Sequence, residues 1–278
     1  DSMNGEIKTQ GIVLLSAPCG EYDRRLVVLT AQRGKITVFA RGARRPGSSF
    51  SACTQTFTFA VFTLYEGREA YSLKTAEQMR FFEELRDDPV RACYGMYFCE
   101  MAMNCAREGM DEETLMKLLF LALAALAKNV IDARLVRAVF EIRCIAEFGE
   151  APLTEGTWYS RRGNGLTDEV GRGDMGVIGY GSTGSYSPGY GSDRSGNAGY
   201  GPAGSGTSHS FAVSHDTVSL TSYVIRSSLI DIFTFSVPKT TILELLSVSS
   251  DWSEYRIGRK LKSKEILEAF ESEDGDPF

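Results

Sequence analysis

Residues 20–45 read GEYDRRLVVLTAQRGKITVFARGARR. Two segments of this stretch, Leu26–Thr30 and Lys35–Ala40, are short and rich in β-branched and apolar residues, and turn-forming residues separate them. Such segments are typical of β-strands. A loop rich in arginine follows the second segment and contains Gly42 and Gly47. The stretch therefore predicts two strands and a basic loop at the point where the second strand ends.

The flanking sequence continues the β pattern on both sides. Residues 11–15 form another short apolar segment, and residues 54–65 alternate threonine with aromatic or aliphatic residues. Alternation with a period of two indicates strands that bury one face. Residues 66–69 predict a hairpin turn into a further strand at 70–74. Because no helical segment interrupts these strands, we expect a small antiparallel barrel of the OB-fold type over residues 1–78.

The pattern changes to a helical period after the predicted barrel. Apolar residues recur there at spacings of three and four, which indicates amphipathic helices. Asp111 and Asp132 are candidate N-caps of two of these helices. The fold class is therefore predicted as α+β, with a helical bundle domain formed by residues 79–155 and 217–270 and an acidic tail at 271–278.

A segment rich in glycine, serine and tyrosine interrupts the helical pattern at residues 156–216. It contains few large aliphatic side chains, so it buries little apolar surface to offset its chain entropy, and we expect a flexible insertion. Gly179, Gly181 and Gly184 match the glycine spacing of a dinucleotide site, but no strand and amphipathic helix flank them as that site requires. A contact between this segment, including Arg194, and single-stranded nucleic acid is the alternative.

The composition is that of an ordinary globular protein. Hydrophobic residues make up 43% of the chain and charged residues 24%, with a mean hydropathy of -0.14. No apolar run approaches the roughly 18 residues that a membrane span requires. The first residues lack the basic and apolar regions of a secretory signal. We therefore expect a cytoplasmic protein that does not associate with membranes.

Residues suited to catalysis or metal binding are few. The chain contains six cysteines and two histidines. No cysteine pair has the spacing of a structural zinc site, and most cysteines lie in apolar helical patterns, so reduced and mostly buried thiols are expected. Neither His209 nor His215 has a context that suggests a catalytic triad or a metal centre. The sequence therefore predicts no catalytic residue, no metal and no cofactor.

The charge is distributed unevenly along the chain. The formal net charge is -6, yet residues 1–80 carry 11 basic against 7 acidic side chains. A basic region on an acidic chain suggests a local site for a polyanion, and guanidinium groups are suited to phosphates. The alternative is a solvated loop whose charges serve solubility. The candidate DNA-binding residues are Arg24, Arg25, Arg33, Lys35, Arg41, Arg44 and Arg45.

Several of these motifs together resemble the bacterial RecO recombination-mediator proteins. The N-terminal part of the resemblance rests on Gly11–Leu14, Gly20–Leu26, Leu29–Thr30, Arg33–Lys35 and Arg41–Arg45. It continues through Phe62–Arg68 and Tyr71–Leu73, and Leu261–Leu267 is similar to the family's C-terminal end. Residues 1–150 and 217–270 are covered.

The resemblance implies a non-enzymatic bacterial protein of the cytoplasm and nucleoid that binds single- and double-stranded DNA and anneals complementary strands. It also implies contacts with RecR and single-strand-binding protein, and through them an indirect role in loading RecA at gaps. Many members carry a four-cysteine zinc module between the bundle helices. Here the Gly/Ser/Tyr segment takes that place and no cysteine follows Cys144, so zinc is not expected.

Two other classes of protein are compatible with the sequence. One is an OB-fold interaction scaffold that binds a peptide and has no DNA activity. The other, a hydrolase or nuclease, would need a metal-ligand set that the sequence does not suggest. If the protein binds single strands, the candidates for stacking on bases are Tyr22, Phe39, Tyr65 and Tyr71, provided that their rings face outward.

Overall fold

A computed structural model describes residues 5–147, 159–162, 165–168, 175–180 and 209–273 of the chain. Its N-terminal part contains five strands: β1 (Glu6–Cys19), β2 (Asp23–Thr30), β3 (Gly34–Ala40), β4 (Thr58–Glu66) and β5 (Tyr71–Phe81). They close into a barrel in the order β1-β2-β3-β5-β4. A closed five-stranded barrel is the OB-fold architecture that the alternating sequence pattern predicted.

Alternation of buried residues explains how the barrel is filled. Along β3, every second residue from Gly34 to Ala40 is buried, and β4 repeats this pattern from Thr58 to Leu64. Side chains that alternate in this way point to one face of a strand, which here is the interior of the barrel. The interior cluster includes Val28, Val38 and Phe62.

One seam of the barrel differs from the others. Four of the five strand pairs are antiparallel: β1 with β2, β1 with β4, β2 with β3, and β4 with β5. β3 and β5 instead pair in parallel, through Val38 with Tyr71 and Phe39 with Ser72. Strands β1, β2 and β3 thus form a meander, β4 returns to pair with β1, and the short parallel contact between β3 and β5 closes the barrel.

Four helices follow the barrel: α1 (Glu83–Arg86), α2 (Pro89–Cys105), α3 (Glu113–Lys128) and α4 (Ala133–Ala146). Asp132 is the N-cap of α4, as predicted, and its carboxylate accepts a hydrogen bond from the backbone amide of Arg134. Asp111 lies one residue before the N-cap Glu112 and accepts from the amide of Glu113 at 3.0 Å.

The barrel and the helices share one apolar core. Ile12, Leu14, Val27 and Leu29 lie on the outer side of β1 and β2 and belong to the same buried cluster as residues of α2, α3 and α4. Successive residues of β1 are buried here because Val13 faces the barrel interior while Ile12 and Leu14 face the helices. The position of the barrel relative to the helices is therefore fixed by burial of apolar side chains.

A second sheet precedes the last helices. Its strands β6 (Tyr159–Arg162), β7 (Gly165–Asp168), β8 (Met175–Tyr180) and β9 (His209–Ser214) are arranged in the order β7-β6-β8-β9. They are followed by α5 (His215–Arg226), α6 (Lys239–Ile257) and α7 (Lys262–Glu273).

This sheet lies within the predicted insertion at residues 156–216, where the sequence pattern indicated no strand. β8 pairs with β9, and Ile178 is fully buried against Val213, Val218 and Val248. Burial of Ile178 and Val213 thus attaches β8 and β9 to α5 and α6. Gly181, Gly184 and Arg194 lie outside the described residues.

Several element ends differ from the predicted boundaries. β5 extends to Phe81, and α5 begins at His215. α7 extends to Glu273, into the predicted acidic tail, because the carboxylate of Glu271 lies 2.8 Å from a guanidinium nitrogen of the buried Arg137. The division of the chain into domains stays a prediction. Among the described residues, none of the helices combines the length and the apolar character needed to cross a membrane.

Candidate nucleic-acid interface

Five of the predicted basic residues meet at one end of the barrel. Arg24 and Arg25 begin β2, and the register pairs them with Ala40 and Phe39 at the end of β3. The loop that leaves β3 after Ala40 therefore starts beside the start of β2. We call the group that results the arginine end: Arg24, Arg25, Arg41, Arg44 and Arg45.

Hydrogen bonds hold the loop of the arginine end against the turn between β1 and β2. The amide of Gly42 donates to Asp23 Oδ1 at 2.7 Å, and the amide of Arg44 donates to the carbonyl oxygen of Tyr22 at 2.8 Å. The Arg44 guanidinium also donates to the carbonyl of Gly20 at 3.3 Å. Gly42 has a φ of 68°, a left-handed conformation that favours glycine. The loop is therefore preorganised, which reduces the entropy lost when its side chains bind a ligand.

The arginine end presents its charges to solvent. Arg25, Arg41, Arg44 and Arg45 are exposed, whereas Arg24 is half-buried. Arg24 Nη1 donates to Ser16 Oγ at 2.9 Å, and its Nε is a buried donor without a protein partner among the described residues. Exposed guanidinium groups of this kind can each donate two parallel hydrogen bonds to a phosphate.

Arg33 and Lys35 lie at the opposite end of the β2–β3 pair. Lys35 lies six residues before Arg41, or about 20 Å of extended chain, and Arg33 lies two residues further away. Arg33 pairs with Glu66 at 3.2 Å and also donates to the hydroxyl of Tyr71. Lys35 Nζ donates to the carbonyl oxygen of Met103 at 2.9 Å, in the last turn of α2. The structure therefore does not bring these two residues into one groove with the five arginines.

The aromatic candidates are divided in the same way. Tyr22 is 41% exposed at the arginine end, with the Arg45 guanidinium carbon 5.4 Å from its ring centroid. Phe39 is half-buried and pairs with Arg25 across the strands. Tyr71 and Tyr65 lie at the Glu66 end of β4, where Tyr71 bonds to Arg33 and Tyr65 lies under Lys74. Tyr22 and Phe39 are thus the aromatic residues that accompany the arginine end.

Sequence reasoning missed Asp23. In the sequence Asp23 precedes two arginines and only reduces the local positive charge slightly. In the structure its carboxylate accepts a hydrogen bond from the amide of Gly42, 19 positions further along the chain. The contact depends on the pairing of β2 with β3, which sets Arg24 opposite Ala40, so that Asp23 at the start of β2 lies beside the loop after β3. No local pattern in the sequence signals it.

The described residues show a separate cleft of about 990 Å³ between the barrel, α3 and residues 228–230. Its lining includes the apolar side chains of Phe59, Met116 and Phe120, with Lys8 and Lys117 beside them. The cleft is lined by the N-terminal half of β1 and contains none of the five arginines. It offers apolar surface, whereas the arginine end offers charge.

Metal-ligating groups do not converge in the part of the chain that the structure describes: it contains no cluster of three or more His, Cys, Asp or Glu side chains suited to a metal ion. Cys53, Cys99 and Cys144 are buried, and the other three cysteines are half-buried. Burial raises the pKa of the Cys99 thiol, which keeps the sulfur protonated and disfavours metal binding by it.

Comparison with protein-family models gives two matches that together span most of the chain. The model described as "Recombination protein O N terminal" matches residues 3–82, which include the barrel and the arginine end. The model described as "Recombination protein O C terminal" matches residues 86–156 and 181–265.

Curated relatives carry the same family name. The "DNA repair protein RecO" of Acetivibrio thermocellus is 24% identical over 265 residues, 95% of this chain and 97% of the relative. The protein of that name from Alkaliphilus metalliredigens is 34% identical over 146 residues, 52% of this chain and 59% of the relative. The one from Exiguobacterium sibiricum is 32% identical over 149 residues, 54% of this chain and 59% of the relative. The chain thus spans about three fifths of the length of the last two relatives.

Proposed function

Because the chain belongs to the RecO family of DNA repair proteins, we propose that it binds single- and double-stranded DNA through the arginine end and acts as a recombination mediator. The observation that carries this proposal is the convergence of five arginines at one end of the OB barrel, on a loop that backbone hydrogen bonds hold in place. Arginine clusters on a barrel loop are the usual electrostatic footprint of nucleic-acid binding.

The proposed mechanism is electrostatic. Guanidinium groups bind phosphate oxygens and displace the counterions that surround the DNA, so affinity falls as salt concentration rises. Two strands held on one basic surface repel each other less, and their effective concentration for base pairing increases. Annealing of complementary strands therefore requires no covalent chemistry, and we propose a non-enzymatic role.

The partners proposed for this role are those that the family resemblance implies. They are RecR and single-strand-binding protein, with RecA loaded indirectly at single-stranded gaps, in the cytoplasm and nucleoid of a bacterium. The helical domain is the proposed surface for the protein partners. We propose no zinc requirement, since the four-cysteine set of many family members is missing from this sequence.

The test compares two double variants in binding to a random-sequence oligonucleotide. Arg44→Ala with Arg45→Ala removes two exposed charges of the arginine end, and Arg68→Ala with Arg86→Ala removes two exposed charges elsewhere. If both arginines contact phosphates, the first variant binds duplex more weakly and its slope of log affinity against log salt falls by about 2. The second variant should keep the slope of the parent.

The results separate the proposal from its alternatives. An unchanged slope in the Arg44 and Arg45 variant removes the arginine end from the DNA site. If the parent protein shows no salt-dependent binding at all, the scaffold that binds a peptide becomes the better account. Metal-dependent cleavage of the oligonucleotide would instead indicate a nuclease. Thermal unfolding of both variants serves as the folding control, because exposed charges contribute little to stability.

A further inference from the structure

We propose that Tyr22 and Arg45 form a stacking platform for an unpaired base, so that the arginine end prefers single-stranded over duplex DNA. This inference rests on the proposed function, because it assigns a preference to the same site. The guanidinium carbon of Arg45 lies 5.4 Å from the centroid of the Tyr22 ring, and 41% of Tyr22 is exposed.

The backbone around the two residues limits how far they can move apart. The carbonyl of Tyr22 accepts a 2.8 Å hydrogen bond from the amide of Arg44, the residue before Arg45. The amide of Arg45 in turn donates to the carbonyl of Gly42 at 3.0 Å, and Gly42 is held by Asp23. The ring and the guanidinium are therefore presented by two chain segments that are joined to each other. A base that stacks here meets flat groups that are already positioned.

The chemistry of the pair suits a base better than a phosphate alone. Both aromatic rings and guanidinium planes stack on nucleobases, and every base has such a face, so this recognition tolerates any sequence. In a duplex the base faces are covered by neighbouring base pairs, and only an unpaired base exposes them. A hydrogen bond with Glu21 raises the pKa of the Tyr22 hydroxyl, so the ring is neutral at physiological pH.

The neighbouring arginines supply the remainder of the site. Arg41 and Arg44 are exposed on the same loop and are available for the phosphates on either side of the stacked base. Duplex DNA can use these charges without using the ring. Removal of the ring should therefore weaken single-strand binding more than duplex binding, whereas removal of the charges should weaken both.

Tyr65 provides a matched control on the same barrel. It is 37% exposed and has a cation over its ring, since Lys74 Nζ lies 5.3 Å from the ring centroid. It lies on β4 beside Glu66, and the cation over its ring is Lys74 rather than a residue of the arginine end. Tyr65→Ala thus removes a similar ring with a similar cation contact from a different place.

The experiment measures the affinity of the full chain for an oligo-dT probe and for a random-sequence duplex of equal length. We expect Tyr22→Ala to lose about tenfold in single-strand affinity and to change duplex affinity less than about twofold. Tyr22→Phe should bind like the parent, because the stacking face is retained. Tyr65→Ala should also bind like the parent. Since stacking releases few counterions, Tyr22→Ala should keep the salt slope of the parent.

A second readout reports the stack directly. Tyr22→Trp places an indole at the site, and its fluorescence should be quenched by oligo-dT beyond any change in the parent protein. An unchanged ratio of single-strand to duplex affinity in Tyr22→Ala, or an equal loss in Tyr65→Ala, would overturn the inference and leave the proposed function standing. Absence of binding to either probe by the parent would overturn both.

Discussion

The ammonium group of Lys35 donates a 2.9 Å hydrogen bond to the carbonyl oxygen of Met103, and this contact joins β3 of the barrel to the last turn of α2. The last turn of α2 has no basic residue of its own. A cation from the barrel therefore supplies the favourable charge at a helix C-terminus, where carbonyl oxygens lack partners within the helix. The sequence made Lys35 a candidate DNA contact, whereas in the structure its ammonium group binds a backbone carbonyl of α2.

Lys35→Met should lower the free energy of unfolding by about 1 kcal/mol, because a half-buried carbonyl loses a charged donor. Its effect on oligonucleotide affinity should be smaller than that of Arg44→Ala with Arg45→Ala. Urea unfolding and a binding titration of the same preparation check both statements. Lys8→Met, at an exposed position of β1, is the control. A large loss of affinity with unchanged stability would return Lys35 to the DNA site.

Arg137→Met should be among the most destabilising single changes in the helices. Arg137 is 1% exposed and its guanidinium contacts the carboxylates of Glu141, Glu268 and Glu271. Burial opposes the charged form, but Glu141 and Glu271 outweigh it and raise the pKa of Arg137. Loss of the cation leaves Glu141, which is fully buried, without its counter-charge. We expect a loss of about 3–5 kcal/mol in denaturant unfolding.

Two further variants test this cause. Arg134 lies one helical turn before Arg137 and forms a more exposed ion pair with Asp132. Arg134→Met removes this pair and should lower the free energy of unfolding by less than about 1 kcal/mol. Glu141→Gln in the Arg137→Met background should recover part of the stability, since it removes the uncompensated charge. If the double variant is no more stable than Arg137→Met alone, the loss comes from packing and not from charge.

Glu244 should make part of the stability depend on pH. Burial opposes its ionisation, but the hydroxyls of Ser214 and Thr217 and the amide of Ser214 outweigh it and lower the pKa of Glu244. A lowered pKa means that the carboxylate stabilises the fold fully above its unfolded value of about 4.3. This contribution is lost as the pH falls through the lower folded value.

Glu244→Gln should therefore cost about 1–2 kcal/mol at pH 7, and its difference from the parent should shrink below about pH 4. Urea unfolding across that pH range measures the difference. Glu265→Gln, an exposed change on α7, should stay within about 0.5 kcal/mol of the parent throughout. A difference for Glu244→Gln that is constant with pH would show that ionisation is not the cause.

The β8–β9 pair leads to a prediction about deletions in the Gly/Ser/Tyr segment. Removal of residues 173–206 deletes β8 and with it the buried Ile178, so the cooperative unfolding transition should move to lower temperature. Removal of residues 182–206 keeps β8 and should cost less. Ile178→Ala alone should cost about 2–4 kcal/mol. Equal melting temperatures for the two deletions would mean that β8 contributes little to stability.

The barrel could be predicted from the sequence because the alternation that specifies each strand lies within a few consecutive residues. The segment Lys35–Ala40 alternates buried and less buried residues, and the observed β3 differs from it by one residue. The strand predicted at 54–65 begins later, at Thr58, since the Thr54 hydroxyl donates to the carbonyl of Phe50 and stabilises a turn before it. The convergence of the arginine loop with the start of β2 follows from the same pairing.

The remainder of the site could not be predicted because it depends on contacts between distant positions. Lys35 meets Met103 across 68 residues, and no spacing rule connects a strand residue with a carbonyl of a later helix. Asp23 and Gly42, 19 positions apart, meet through a side-chain contact that the β2–β3 pairing allows but that no residue pattern signals. β8 was missed because glycine and serine dominate its surroundings, and one isoleucine, Ile178, gives no periodic signal.

The parallel seam of the barrel has a consequence for how the arginine end behaves when the barrel fluctuates. β3 and β5 share two residue pairs, whereas β4 and β5 share nine, so the circumference is easiest to interrupt between β3 and β5. An interruption there converts the ring into an open sheet with β3 and β5 at its edges. The turn before β2, β2 itself and the loop after β3 all lie on the same side of that break. The five guanidiniums would therefore keep their mutual spacing while the ring opens and recloses.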